Sequence, residues 1–407
     1  MQVKDHPQWT KSLDWLLDAD ERGNPHTRLR PFTTGNEVRP LIEGATYYAD
    51  LLAAIRRQRR GDLLLFTDWR GDPDERLDGP GTEVGTVLCD AAERGVIVKG
   101  LVWRSHWDRM AFSAEENRHL GDEIEAAGGE CLRDMRVRFG GSHHQKFVVL
   151  RHPGRPELDV ADVGGIDLCH SRRDDSKHAG DPQALSMSPQ YGQRPPWHDA
   201  QVAIRGPAVG DVETTFRERW TDPAPLTRNP VYRLQDLAER EDTKADPLPE
   251  QLPDPPRAGD VAVQLLRTYP FRRRGYPFAP LGERSVARGY SKAAARARRL
   301  IYLEDQYLWS SQVVSCFAEA LRDQPALRLI AVVPRYPDQP GKVGGVPQEL
   351  GRARAIDELR AAGGDRVAVY SPENHAGVPV YLHAKVCVVD DEWATVGSDN
   401  VDRKSVV

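Results

Sequence analysis

From Val38 onward, apolar positions along this chain fall into two alternating patterns. One is helical spacing, as in EGATYYADLLAAIRRQ (43–58). The other is a short unbroken apolar run ending at turn residues, as in DLLLFTDW (62–69), which predicts a strand buried on both faces. AAERGVIVKGLVW (91–103) predicts a helix end, a glycine stop and a strand. A helix near 114–127, a strand near 130–138, a strand at 143–150 and another at 161–169 follow. QVAIRGPAVGDVETTFRERW (201–220) predicts a strand, a Gly-Pro turn and an amphipathic helix.

Residues 240–259, REDTKADPLPEQLPDPPRAG, lose all periodicity and are rich in proline and charge, so they predict a linker. The order then repeats. Strands are expected at 261–268, 300–309, 327–334 and 366–370, helices at 289–299, 312–323 and 347–362, and a closing strand after His383. VGSDN (396–400) mirrors VGGID (163–167). The expectation is an α/β chain of two duplicated halves, 38–239 and 260–407, behind an N-terminal extension, 1–37. Each half is expected to be an α/β/α sandwich. Pseudo-twofold packing of the halves would place one site between them.

Composition narrows the class. A length of 407 residues suits two domains, and 39% hydrophobic with 29% charged residues suits a soluble globular chain. No apolar stretch approaches the roughly 18–20 residues of a membrane span. The N-terminus lacks the basic start and apolar core of a signal peptide. Five scattered cysteines suggest free thiols in a reducing compartment, so a cytoplasmic chain is expected, able to meet a membrane peripherally. A formal net charge of −5 argues against general coating of nucleic acid, and no nucleic-acid partner is expected. A monomer is expected.

The candidate chemistry lies in two short stretches, HHQKFVVL (143–150) and YLHAKVCVVD (381–390). On a strand, residues i and i+2 share a face, so His144 and Lys146 project together, as do His383 and Lys385. Two copies at equivalent places would bring two imidazoles and two ammonium groups to one cleft. Lysine suits non-bridging phosphate oxygens. One histidine can attack phosphorus while the other protonates the leaving oxygen. Neither HExxH nor CxxC occurs, so no zinc site and no cofactor is expected.

HAKVCVVD with GSDN, carrying His383, Lys385, Asp390, Gly397, Ser398 and Asn400, resembles the HxKxxxxD…GSxN signature of the phospholipase D superfamily. HHQKFVV, VGGIDL and PPWHD of the first half look like its eukaryotic-type phospholipase D branch. The resemblance covers most of residues 38–407. It implies a metal-free, two-step phosphodiester transfer through a phosphohistidine. It implies His144 as nucleophile, His383 as general acid and base, Lys146 and Lys385 on the phosphate, and Asn400 adding a hydrogen bond. Gly165 and Asp167 stand where the second copy has Ser398 and Asn400. Ser398 and Asp167 are therefore placed with the phosphate, while Gly165, Gly397 and Asp390 are read as structural. A carboxylate normally orients a nucleophilic imidazole. The family places one downstream of each motif, so Asp199 of PWHD is expected to orient His144.

The chain departs from the pattern twice. Arg151 stands at the aspartate position of the first motif, with Asp159 and Asp162 both able to compensate. Only seven residues follow Asn400, where the family continues with a second orienting acid, a strand and a helix. A fragment, or a His383 without its orienting partner, is the expectation. DQY (305–307) and its counterpart TDW (67–69) read as strand ends on the rim of the cleft, with packing or substrate contact both open. FRRRGYPF (271–278) reads as a solvated loop, although arginines mixed with aromatics would suit a phosphate-rich membrane surface. Residues 171–196 read as a long loop over the first site.

The leading expectation is a phospholipase D acting on glycerophospholipids, with transfer to alcohols. A nuclease-like phosphodiesterase, a phosphatidyltransferase of lipid synthesis and a non-catalytic scaffold are the alternatives. Calcium independence is expected because nothing resembling a calcium-dependent lipid-binding module precedes the catalytic region.

Overall fold

The computed structural model describes residues 13–105, 114–138, 140–338 and 345–401, with the side chains of 345–348 left aside. Residues 1–12 of the expected extension and 402–407 of the expected second half lie outside the described residues.

Two sheets organise the chain. The first has eight strands: β1 (Thr33–Ile42), β2 (Leu63–Asp68), β3 (Ile97–Trp103), β4 (Glu130–Asp134), β5 (Phe147–Arg151), β6 (Val160–Gly164), β8 (Ala200–Arg205) and β9 (Val261–Val263). Their order is β4-β3-β2-β5-β6-β8-β1-β9. The second holds β12 (Leu300–Glu304), β13 (Arg328–Val332), β14 (Val367–Tyr370), β16 (Val386–Val389) and β17 (Trp393–Val396), in the order β14-β13-β12-β16-β17. Its pattern repeats the first five strands of the first sheet: parallel through the opening three, then antiparallel. β5 and β16, the strands that follow the two His-x-Lys pairs, hold equivalent central places. Two short pairs complete the strands: β7 (Trp197–His198) with β15 (Tyr381–Leu382), and β10 (Thr268–Tyr269) with β11 (Glu283–Arg284).

The first sheet is covered on both faces, which is why its strands read as unbroken apolar runs. Leu64 and Phe66 point into the core beneath α1 (Gly44–Arg56), α2 (Val84–Glu93) and α3 (Ala114–Ala126). Leu65 points the other way, with Leu101 and Val149, against Val212 and Phe216 of α4 (Ala208–Trp220). A further helix, α5 (Pro230–Glu239), follows α4. The second sheet has alternating burial instead. Ile301, Leu303, Cys387 and Val389 share a core with α6 (Ser285–Arg296), α7 (Ser311–Asp323) and α8 (Gly345–Gly363), while Tyr302, Val386 and Val388 are half-buried on the other face.

Three boundaries differ from the sequence reading. β1 begins at Thr33, inside the expected extension, and Trp15 packs into the core of the second half. β9, read as the opening strand of the second half, pairs with β1 at the edge of the first sheet. Apolar pattern gives a strand but not the sheet it joins. Residues 241–260 carry no helix or strand but are held down as a strap over α4. Arg217, Arg151 and Trp220 donate to the backbone carbonyls of Pro249, Pro253 and Asp246 at 2.6, 2.5 and 2.8 Å. That strap explains why α4 is buried on all sides.

Candidate active site

Both His-x-Lys pairs line one cleft of about 1500 Å³ at the junction of the two sheets. The backbone repeats around them. Gly164 N–H donates to Lys146 O at 3.3 Å, and Gly397 N–H donates to Lys385 O at 3.2 Å. The glycine loops after β6 and β17 are thereby pinned beside the two lysines.

His144 Nδ1–H donates to the carbonyl of Ser398 at 3.1 Å, which leaves Nε2 with its lone pair free. Burial, reinforced by Lys146 and Lys385, holds its pKa well below the ordinary range. His383 Nδ1–H donates to Asp199 Oδ2 at 2.6 Å. Its backbone N–H donates to the carbonyl of His198 at 2.8 Å, and its ring lies 5.0 Å from that of Trp197. Burial, with Lys385 adding to it, takes His383 down to about 3 against the opposing pull of Asp199.

This corrects the expected role of Asp199, which orients His383 and not His144. PWHD belongs to the first half, but β7 runs parallel to β15, the strand immediately before His383. The pairing carries Asp199 across to the other half. His383 therefore has an orienting acid, and the expectation that it lacks one does not hold. Gly165 makes room for it: a Cβ there would sit 2.2 Å from Asp199 Oδ1. Gly397 has no such crowding.

The lysines are held from behind. Lys146 is buried 3.3 Å from Asp167 Oδ1, and the same oxygen accepts Trp69 N–H and Arg70 N–H. Asp167 thus fixes Lys146 from behind, since its Oδ1 already faces the ammonium and two backbone N–H groups. Its neighbour Asp68 is driven well up by burial and by Asp167. Lys385 donates to Gln306 Oε1 at 3.3 Å and to His383 O, and burial lowers it to about 7. Asp305 accepts the N–H groups of Tyr307, Leu308 and Val401, which fixes the loop carrying Asn400. The buried Asn400 Oδ1 has no partner among the described residues, and its side chain lines the cleft. Ser398 meets His144 through its backbone.

Asp390 accepts from the N–H groups of Arg298, Arg299 and Leu300 at 2.7–2.8 Å and caps the start of β12. At the equivalent place Arg151 is fully buried. It donates to Asp159 at 2.8 Å and to Glu213 at 2.5 Å, so Asp159, and not Asp162, is its compensating partner.

Several residues went unnoticed in the sequence. His198 Nδ1 lies 2.5 Å from Glu43 Oε1, and its Nε2 lies 3.2 Å from Glu304 Oε2 of the second half. Burial opposes its charge, but the bonds to Glu304 and Glu43 outweigh that and lift it to about 10. His178 lies close by, and the donor atoms of Glu43, His178 and His198 come within 4.8 Å of one another, so these three could hold a metal ion. Their wide separation in sequence hid them from a search for short ligand spacings. The Arg172 guanidinium stacks on Trp197 at 4.0 Å and lines the cleft.

Phospholipase D alpha 1 from Cynara cardunculus is 25% identical, covering 82% of this chain and 55% of its own length. Phospholipase D alpha 1 from Oryza sativa subsp. japonica is also 25% identical, covering 90% of this chain and 60% of its own. This chain therefore spans a little over half the length of these relatives. Among solved structures, the phosphatidylserine synthase of Haemophilus influenzae Rd KW20 superposes with a TM-score of 0.58 at 12% identity, over 98% of this chain and 83% of that one, a likeness of fold. The family model for phospholipase D matches residues 73–333, well over half of the sequence, and on that match the chain belongs to the phospholipase D family.

Proposed function

We propose that this chain cleaves the head group from glycerophospholipids by two-step transfer through a phosphohistidine. The observation that supports this best is the set His144, Lys146, His383 and Lys385 gathered in one cleft, with Asp199 buried behind His383 and both imidazole tautomers assigned. His144 Nε2 attacks phosphorus, the bond from phosphorus to the head-group oxygen breaks, and the His383 proton passes to that oxygen. His383, now neutral, takes a proton from water or an alcohol. That oxygen attacks phosphorus, and the phosphorus–nitrogen bond to His144 breaks. Lys146 and Lys385 offset the charge of the non-bridging oxygens. The phosphate also raises the proton affinity of His383, because its charge counters Lys385 and Arg172, which with burial lower it. Asn400 adds a hydrogen bond.

The test is head-group release from phosphatidylcholine vesicles with a primary alcohol present, with and without chelator. Wild type should form the phosphatidyl-alcohol, and His144→Asn should not. Loss of turnover with chelator would bring Glu43, His178 and His198 into the reaction. Cleavage of nucleic acid with lipid left intact would overturn the phospholipid reading, and activity on neither would favour a scaffold.

A further inference from the structure

The loop between β10 and β11 is built unlike the rest of the surface. Phe271 and Leu281 are 63% and 80% exposed, among the most exposed large apolar side chains described. Between them lie Arg272, Arg273 and Arg274, and the whole segment from Thr268 to Gly282 contains no acidic residue. Arg273 and Arg274 are exposed and have no carboxylate partner among the described residues.

These side chains are not displayed by a slack loop. Tyr269, Tyr276 and Phe278 form a buried aromatic cluster beneath it. Tyr276 Oη–H donates to Arg136 O at 2.7 Å, and Arg272, stacked on Tyr276, donates to the same carbonyl at 3.1 Å. Tight turns close at Gly275, Ala279 and Gly282. A rigid scaffold holding apolar tips and unpaired arginines out into water needs a partner that is apolar and anionic at once. The loop's place gives the reason: Tyr269, Pro270 and Tyr276 line the cleft that holds the two histidines, as does the exposed Arg138.

We propose that residues 270–282 dock this chain on an anionic lipid bilayer, with Phe271 and Leu281 entering the acyl boundary and Arg273 and Arg274 on the lipid phosphates. The proposal rests on the phospholipid reading for its purpose, but it is tested by binding alone. Among the described residues no helix is long and apolar enough to cross a membrane.

The full chain is sedimented with vesicles of phosphatidylcholine alone or mixed with phosphatidylglycerol. Wild type should favour the mixed vesicles, and added salt should reduce the preference. Arg273→Ala with Arg274→Ala should weaken binding to mixed vesicles roughly fivefold per arginine and leave neutral vesicles little changed. Phe271→Ser with Leu281→Ser should weaken both by at least roughly tenfold. Both double variants should retain wild-type turnover of a monomeric short-chain phosphatidylcholine, which shows that fold and site are intact. Unchanged binding in both double variants, or no binding by wild type, overturns the proposal. So does a loss seen only on changing Leu234 and Leu237, the exposed apolar pair on α5. Binding without lipid turnover would keep the docking surface and remove the phospholipase reading. Turnover of the monomeric lipid without vesicle binding would do the reverse.

Discussion

His383 draws its acid from the opposite half of the chain, and that single hydrogen bond carries the clearest test at the residue scale. Asp199→Asn keeps the shape but removes the charge that holds the imidazole in its tautomer. We expect kcat to fall by about 10²- to 10⁴-fold with little change in KM, measured on a soluble phosphodiester. Gly165→Ala should fall in the same direction, because its methyl group would displace Asp199. Lys385 gives a pH dependence. Its pKa of about 7 means that the free protein loses this charge as pH rises through neutrality, so kcat/KM should decline above about pH 7. Bound phosphate favours the charged form, so the same limb in kcat should lie at higher pH. Coincident limbs would remove Lys385 as the titrating group. The two His-x-Lys pairs were legible in the sequence because the pattern occurs twice, although each pair lies just before its strand, β5 or β16, and not on it as the alternation argument expected. The partner of Asp199 was not, because it depends on how β7 and β15 meet.

At the scale of elements, β5 carries one of the two departures from the family pattern. The Arg151 side chain is fully buried between Asp159 and Glu213. Arg151→Ala would leave the buried Asp159 without its guanidinium and Glu213 with Arg217 alone, and we expect a loss of about 3–5 kcal/mol in urea unfolding. Arg151→Asp restores the family letter but adds a third carboxylate, so it should be worse. The double variant Arg151→Met, Glu213→Gln should recover part of the loss. The strands themselves were readable because the first sheet is covered on both faces, and unbroken apolar runs follow from that. Which sheet β9 would join was not readable, since a three-residue strand of Val-Ala-Val fits either edge. The cluster of Glu43, His178 and His198 was hidden for a related reason. It forms where α1, the 171–196 loop and β7 converge, and no spacing along the chain records that.

At the scale of the whole molecule, His198 ties one half to the other through Glu43 and Glu304. Its pKa is raised from the ordinary histidine value to about 10, so the stability it contributes is fully present below about pH 6.5 and is lost as pH rises through about 10. The thermal midpoint of wild type should exceed that of His198→Gln most at mildly acidic pH, and the gap should close toward pH 10. A gap that widened with pH would contradict the assignment. The long loop adds a second tie, since Tyr191 Oη–H donates to Tyr336 O at 2.6 Å and Tyr336 N–H donates back to Tyr191 Oη at 3.1 Å.

The strap at 241–260 has a different consequence. Arginines and a tryptophan of the first half grip it by three main-chain carbonyls, while its Gln251 side chain reaches α4 and its Asp254 meets Arg30. Outside Leu248, Gln251 and Asp254 its letters are freer to drift than its length, because one inserted residue would slide every carbonyl past its donor. In a set of related chains this stretch should align without gaps, with identity confined to a few positions such as Gln251 and Asp254. A purification tag spliced into it would loosen α4, even though its composition advertises it as the safest place to cut and paste.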